Sequence, residues 1–116
     1  VNAGHLPMIA FKGDEDSIRE YRAQDMPLGI AGDMLYHPVV LDIQTGDIGL
    51  IYTDGVSEAL NLENEEFGKE RMIQLIKDNK HKSSQEIVAI IEEKLRQHTR
   101  GMTQLDDITL MLYKIK

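Results

Sequence analysis

The chain has 116 residues, 41% of them hydrophobic, which is enough for one domain or for part of a larger one. Its formal net charge of −7, without a basic run, argues against binding to nucleic-acid phosphates or to an anionic membrane surface, because both depend on clustered lysine and arginine. The absence of cysteine excludes disulfides, thiolate catalysis and cysteine-ligated zinc, and it fits a reducing cytoplasm, where we expect the protein to reside.

The first residues, Val1-Asn2-Ala3-Gly4-His5, include no initiator methionine, no signal peptide and no polar lead-in. Domain ends tend to be polar and loosely held, whereas this start already has a strand-like pattern. We therefore expect the chain to be a piece of a longer protein. A trimmed tag or a processed end is the alternative.

The first half of the chain is predicted to form β-structure. Residues 6–11 are a short apolar run, and a polar turn separates them from residues 18–21, so the two segments are predicted to form a hairpin. Residues 24–33 contain Pro27, Gly29 and Gly32 and are predicted to form a loop. Residues 38–43 are rich in β-branched side chains and predict a strand. Residues 48–53 predict another strand, apolar on both faces and hence central in its sheet.

The second half changes to helical periodicity. Residues 68–79 have apolar side chains at helical spacing. Ser83 and Glu86 have the spacing of a capping box, which predicts a second helix that ends near Gly101. Residues 108–115 predict a last strand that returns to the earlier sheet. The fold class is therefore α+β.

Acidic residues lie at the ends of two predicted strands. Asp54 ends a buried strand and is followed by Gly55, so its carboxylate is a candidate ligand for a hard cation. A plain Asp-Gly turn is the alternative, and spacing alone favours it. Asp106 and Asp107 begin the last strand, where successive side chains point to opposite faces, so only one of them can face a given site. A solvated loop end is the alternative for that pair.

The order and spacing of several short motifs resemble one known family. The motifs are Asn2-Ala3-Gly4-His5 with Pro7, Pro27-Leu28-Gly29, Gly46-Asp47, Thr53-Asp54-Gly55-Val56-Ser57-Glu58 and Asp106-Asp107-Ile108-Thr109. The chain resembles the SpoIIE/RsbU branch of the PPM family, bacterial metal-dependent serine/threonine phosphatases similar in fold to protein phosphatase 2C. The resemblance implies part of an α/β/β/α sandwich of antiparallel sheets with a two-metal Mn²⁺ or Mg²⁺ site at one edge.

The resemblance also implies roles for individual residues. Asp54 and Asp106 correspond to catalytic metal ligands, and Gly55 lets the chain pass close to the metals. Glu58 is expected to bind a metal weakly or to act through another ligand. Asp107 stands where relatives often have Asn, so no direct metal role is expected for it.

Family members carry a further metal-binding Asp in an N-terminal half that these residues lack. Residues 1–116 are therefore expected to be the C-terminal portion of a phosphatase domain, inactive alone, weak in Mn²⁺ binding and prone to self-association through an unpaired sheet. The expected substrate of the parent protein is a phosphorylated anti-sigma-factor antagonist of the STAS type. The alternative is a non-catalytic regulatory or protein-binding module of degenerate phosphatase fold.

Overall fold

A four-stranded antiparallel sheet carries two long helices on one face. The computed structural model describes residues 2, 4–13, 17–102 and 107–116. The strands are β1 (Met8–Lys12), β2 (Ser17–Tyr21), β3 (Ile48–Tyr52) and β4 (Leu110–Lys114), and the helices are α1 (Asp54–Ser57), α2 (Lys69–Asn79) and α3 (Ser84–His98). The order in the sheet is β2-β1-β3-β4, which confirms the α+β class.

The strand pairing confirms three of the predictions. β1 and β2 form the expected hairpin, with Met8 opposite Tyr21. β3 lies between β1 and β4, as its apolar character on both faces predicts. β4 returns beside β3 after both long helices, with Tyr52 opposite Leu110. β1 begins one residue after Pro7, because proline has no N–H to donate to a neighbouring strand.

The core lies between the sheet and the long helices. Alternate strand residues face the helices, and the fully buried side chains there are those of Ile9, Leu50, Met72, Ile76, Ile87 and Ile91. Ser83 caps α3 as predicted: its hydroxyl accepts a hydrogen bond from the Glu86 N–H at 3.2 Å. Among the described residues, no helix is long and apolar enough to cross a bilayer.

The strand predicted at residues 38–43 is wrong. These residues are in neither strand nor helix, and Val40 is 94% exposed. The segment is held by side chains instead: the Lys12 ammonium donates to the Asp42 carbonyl at 2.8 Å, and the buried Asp25 carboxylate accepts a bond from the His37 N–H at 2.9 Å. Residues of high β-propensity favour a strand when they pack on a half-buried pleated surface. Val40 is exposed and does not pack on such a surface, so its β-propensity does not produce a strand here.

His98 joins α3 to the loop between α1 and α2. Its Nε2 lies 3.1 Å from the Ala59 carbonyl and 2.9 Å from the Glu65 carbonyl. Its Nδ1 lies 2.8 Å from a guanidinium nitrogen of Arg71, which can only donate. These partners assign the neutral ring with its proton on Nε2. The ring edge also packs on Phe67, with centroids 5.4 Å apart.

Replacing His98 with Leu should therefore loosen this loop. We expect a loss of about 1–3 kcal/mol in the free energy of unfolding, because two carbonyls and one guanidinium lose their partner. Chemical denaturation of the variant checks this. The matched control is Gln97→Leu, which removes a polar side chain from the exposed surface of the same helix. Equal stability of the two variants would contradict the role given to His98.

Candidate metal site

The Asp54 motif and residues 107–109, the described part of the second acidic motif, lie close together at one end of the sheet. β3 and β4 are antiparallel, so the end of β3 lies beside the start of β4, with Tyr52 opposite Leu110 as the last pair. α1 begins at Asp54, two residues after β3 ends. Residues 107–109 therefore lie next to the first turn of α1. Sequence separation alone could not show this proximity.

Thr53 connects the two motifs directly. Its N–H donates to the Thr109 carbonyl at 3.0 Å. Its hydroxyl oxygen accepts a bond from the Thr109 N–H at 3.0 Å, and the hydroxyl lies 3.3 Å from the Asp107 carbonyl and 3.4 Å from the Thr109 carbonyl. Sequence reasoning singled out the carboxylates and missed this hydroxyl. The position of Thr53 immediately before the Asp-Gly pair was the available signal.

Asp54 lies in the first turn of α1 with its side chain exposed. Gly55 and Val56 are buried, and Val56 has no exposed surface, so the turn is fixed to the core while the Asp54 carboxylate stays in solvent. The Asp54 carbonyl accepts a bond from the Glu58 N–H at 2.8 Å. The structure thus places Asp54 and Glu58 on one short turn.

Of the other acidic residues predicted at the site, the structure describes some but not all. Glu58 and Asp107 are both exposed. Asp106 lies outside the described residues. Carboxylate oxygens are suitable ligands for Mg²⁺ and Mn²⁺, so the donor type fits the predicted cations. No group of three or more acidic or histidine side chains within the described ranges is arranged to hold a metal ion. The described residues alone therefore do not form a complete metal site.

Tyr52, the last residue of β3, is buried and lies two residues before Asp54. Burial raises the pKa of the Tyr52 phenol. The charge of Lys69 lowers this pKa, whereas the charges of Glu20 and Asp54 raise it further. Lys69 forms an ion pair with Glu20 at 2.6 Å. The hydrogen bond between them lowers the pKa of Glu20 and raises that of Lys69.

Comparison with known proteins identifies relatives along the whole chain. The family model described as Stage II sporulation protein E (SpoIIE) matches residues 1–116. Protein IcfG of Synechocystis sp. is 30% identical over 111 residues, which cover 96% of this chain and 17% of IcfG. Phosphoserine phosphatase RsbU of Bacillus subtilis is 27% identical over 115 residues, which cover 99% of this chain and 34% of RsbU. The chain thus spans about a third of RsbU and about a sixth of IcfG.

Solved structures show the same fold. A SpoIIE structure from Bacillus subtilis, with the PP2C phosphatase domain and a fragment of the regulatory domain, matches 97% of this chain and 32% of its own, at 23% identity and a TM-score of 0.71. The SiaA-PP2C domain of Pseudomonas aeruginosa matches 97% of this chain and 44% of its own, at 20% identity and a TM-score of 0.75. A SpoIIE phosphatase domain presoaked in Mn matches 97% of this chain and 48% of its own, at 24% identity and a TM-score of 0.66. The solved structures show that the chain has the fold of PP2C phosphatase domains, and the sequence match over all 116 residues shows that it belongs to the SpoIIE family.

Proposed function

We propose that the protein containing this chain is a metal-dependent phosphatase that hydrolyses phosphoserine or phosphothreonine on a regulatory protein. The observation that carries the proposal is the bridge from Thr53 to Asp107 and Thr109, which brings the Asp54 motif beside the residues that precede β4. Acidic residues from these two motifs would supply carboxylate oxygen ligands to a bound cation. The similarity to phosphoserine phosphatase RsbU supports the choice of substrate chemistry.

Asp54 and Asp106 are the proposed metal ligands and catalytic residues. Mn²⁺ or Mg²⁺ bound there would lower the pKa of a water molecule and offset charge on the phosphoryl oxygens. Gly55 leaves room for the chain to approach the cations. Glu58, one turn beyond Asp54, acts through a bound water or as a weaker ligand. The Mn presoak of the SpoIIE phosphatase domain supports this choice of cation.

Residues 1–116 form, in this proposal, the C-terminal portion of a phosphatase domain whose N-terminal portion supplies the remaining ligands. The partial set of acids at the sheet edge supports this division. On its own the chain would be inactive, bind Mn²⁺ weakly and self-associate through the sheet face opposite the helices, where Met111 is 54% exposed. The proposed substrate is a phosphorylated STAS-type anti-sigma-factor antagonist, and the proposed compartment is the cytoplasm.

Removal of the metal tests the assignment. The full-length protein should release phosphate from a phosphoserine-containing protein in the presence of Mn²⁺. EDTA should abolish the release, and added Mn²⁺ should restore it, because the carboxylates activate no water without a cation. Phosphate release is measured by a colorimetric assay, with Ca²⁺ in place of Mn²⁺ as the matched control. A rate that EDTA leaves unchanged would contradict a metal-dependent reaction.

A non-catalytic module is the second candidate function. The observation in its favour is that the described residues hold no complete group of metal-ligating side chains. The gene sequence that precedes Val1 distinguishes the two candidates. A strand followed by Asp-Gly in that sequence favours the enzyme, and an unrelated domain favours the module.

A further inference from the structure

We propose that Thr53 is a positioning residue whose hydroxyl holds Asp107 and Thr109, the described residues just before β4, next to the first turn of α1, and thereby sets the geometry of the proposed cation site. The proposal rests on the proposed function, because it concerns the same metal site. Thr53 itself contributes no charge and is not offered as a ligand. Its role is to set the relative position of two chain segments that are 56 residues apart.

The conformation of Thr53 is the first observation. Thr53 occupies the N-cap position of α1 with an extended backbone (φ −102°, ψ 162°), yet its side chain makes no capping bond. Threonine at this position ordinarily accepts a bond from an N–H of the first turn. Ser83 does so at the start of α3, where the Glu86 N–H donates at 3.2 Å. The Thr53 hydroxyl is used for a contact across the chain instead.

The second observation is where that contact lies. The ladder between β3 and β4 ends at the pair of Tyr52 and Leu110. Beyond it, the Thr53 N–H bonds to the Thr109 carbonyl, and this main-chain bond would persist with any residue except proline at position 53. The contact to Asp107 depends on the hydroxyl, which lies 3.3 Å from the Asp107 carbonyl. The side chain therefore extends the pairing by two residues toward the acidic pair.

Removal of the Thr53 hydroxyl should weaken metal binding more than it lowers the stability of the fold. Thr53 is half-buried, and Thr109 and Asp107 are exposed. Water can satisfy the Thr109 N–H and the Asp107 carbonyl when the hydroxyl is removed, so the loss of stability should be small. The segment before β4 would then be held less firmly, and the acids would bind the cation less tightly. Outer groups that orient metal ligands typically change metal affinity by about 10–100-fold.

The test compares Thr53→Val, which keeps the shape but lacks the hydroxyl, with Thr53→Ser, which keeps the hydroxyl. Thr99→Val is the matched control, since the Thr99 hydroxyl bonds to the Leu95 carbonyl within α3, away from the site. Each variant is made in the full-length protein. Mn²⁺ affinity is measured by isothermal titration calorimetry and stability by metal-free thermal denaturation. Phosphatase activity is measured separately, as kcat and as KM for substrate at saturating Mn²⁺.

We expect Thr53→Val to weaken Mn²⁺ binding about 10–100-fold, with the metal-free melting temperature and the substrate KM close to wild type. Thr53→Ser and Thr99→Val should bind Mn²⁺ like wild type. Unchanged Mn²⁺ affinity in Thr53→Val, or an equal loss in Thr53→Ser, would overturn the proposal. If Thr53→Val does not fold, Thr53→Ala removes the same hydroxyl with less bulk. A wild-type protein without phosphatase activity would overturn the proposed function, whereas the Mn²⁺ affinities test the positioning role independently.

Discussion

Replacement of Asp54 with Asn is expected to lower the Mn²⁺-dependent phosphatase rate of the full-length protein by at least about 100-fold, because it removes several kcal/mol of metal-mediated transition-state stabilisation. The amide has nearly the same shape as the carboxylate, so α1 should still form on its buried Val56. What is lost is the negative charge that is proposed to hold the cation at the end of β3. Steady-state phosphate release at several Mn²⁺ concentrations measures the change.

Substitutions of the other acidic residues of the proposed site are expected to lower the phosphatase rate by different amounts. Asp106→Asn should cause a loss comparable to that of Asp54→Asn, since both residues are proposed as direct ligands. Glu58→Gln should cost less, roughly tenfold or below, as for a group that acts through another ligand. Glu92→Gln is the control: this exposed carboxylate on α3 pairs with Arg96 at 3.2 Å, a surface interaction of small energy. Wild-type rates in both Asp54→Asn and Asp106→Asn would contradict the assignment of the metal site.

Local sequence patterns were sufficient for most of the secondary structure. The hairpin of β1 and β2, the interior position of β3, and the helices α2 and α3 were all predicted from residue periodicity, turns and a capping box. For the hairpin and the helices the deciding interactions lie within a few residues, such as the 3.2 Å bond from the Glu86 N–H to Ser83. The interior position of β3 was predicted from its apolar residues on both faces. The strand predicted at residues 38–43 failed because a strand also needs a partner and a surface, neither of which local composition specifies.

The candidate site was predicted only in part, for a related reason. The residue types and the strand ends marked Asp54 and the pair Asp106-Asp107 as candidate ligands, and the family resemblance implied that Asp106 is the ligand of the pair. The bond that brings their segments together joins Thr53 to Thr109, residues 56 positions apart. Such a contact depends on the register between β3 and β4, which follows from the whole sheet. A single sequence has no local pattern that specifies a side-chain bridge at that distance.

A buried ion pair at the opposite end of β3 should have the largest effect on stability. The Lys12 ammonium contacts the Asp47 carboxylate, and the two side chains are 7% and 6% exposed. Asp47 also accepts bonds from the Gln44 N–H at 2.9 Å and the Gly13 N–H at 3.1 Å. Asp47→Asn keeps the shape but leaves the lysine charge without its counterion. Such unpaired buried charges are strongly destabilising.

We expect Asp47→Asn to lower the melting temperature by roughly 10 °C or more. Asp42→Asn is the matched control, because Asp42 forms a second ion pair with Arg19 at 3.5 Å in which both side chains are largely exposed. That exposed pair should contribute little, so the control should melt within about 2 °C of wild type. Thermal denaturation of both variants at neutral pH makes the comparison, and similar melting temperatures would contradict a stabilising role for the buried pair.

The same pair predicts a pH dependence with a definite sign. Burial raises the pKa of Asp47, but the bonds from Lys12, Gln44 and Gly13 outweigh it, so the pKa lies below its usual value. A carboxyl with a lowered folded-state pKa stabilises the protein above the unfolded value, about pH 4, and loses this contribution as the pH falls through the folded value. The bond to Asp47 raises the pKa of Lys12, so the lysine contribution is lost only as the pH rises past about 10.5.

Melting temperatures from neutral pH down to strongly acid pH should therefore fall more steeply in wild type than in Asp47→Asn, because the variant has no carboxyl at position 47 to protonate. Lys12→Met combined with Asp47→Asn supplies the decisive comparison. If the uncompensated ammonium causes the instability of Asp47→Asn, its removal should make the double variant more stable than the single one. If the double variant is no more stable than Asp47→Asn, the loss of stability comes from the bonds that Asp47 accepts from Gln44 and Gly13. The unpaired buried charge of Lys12 would then not be its cause.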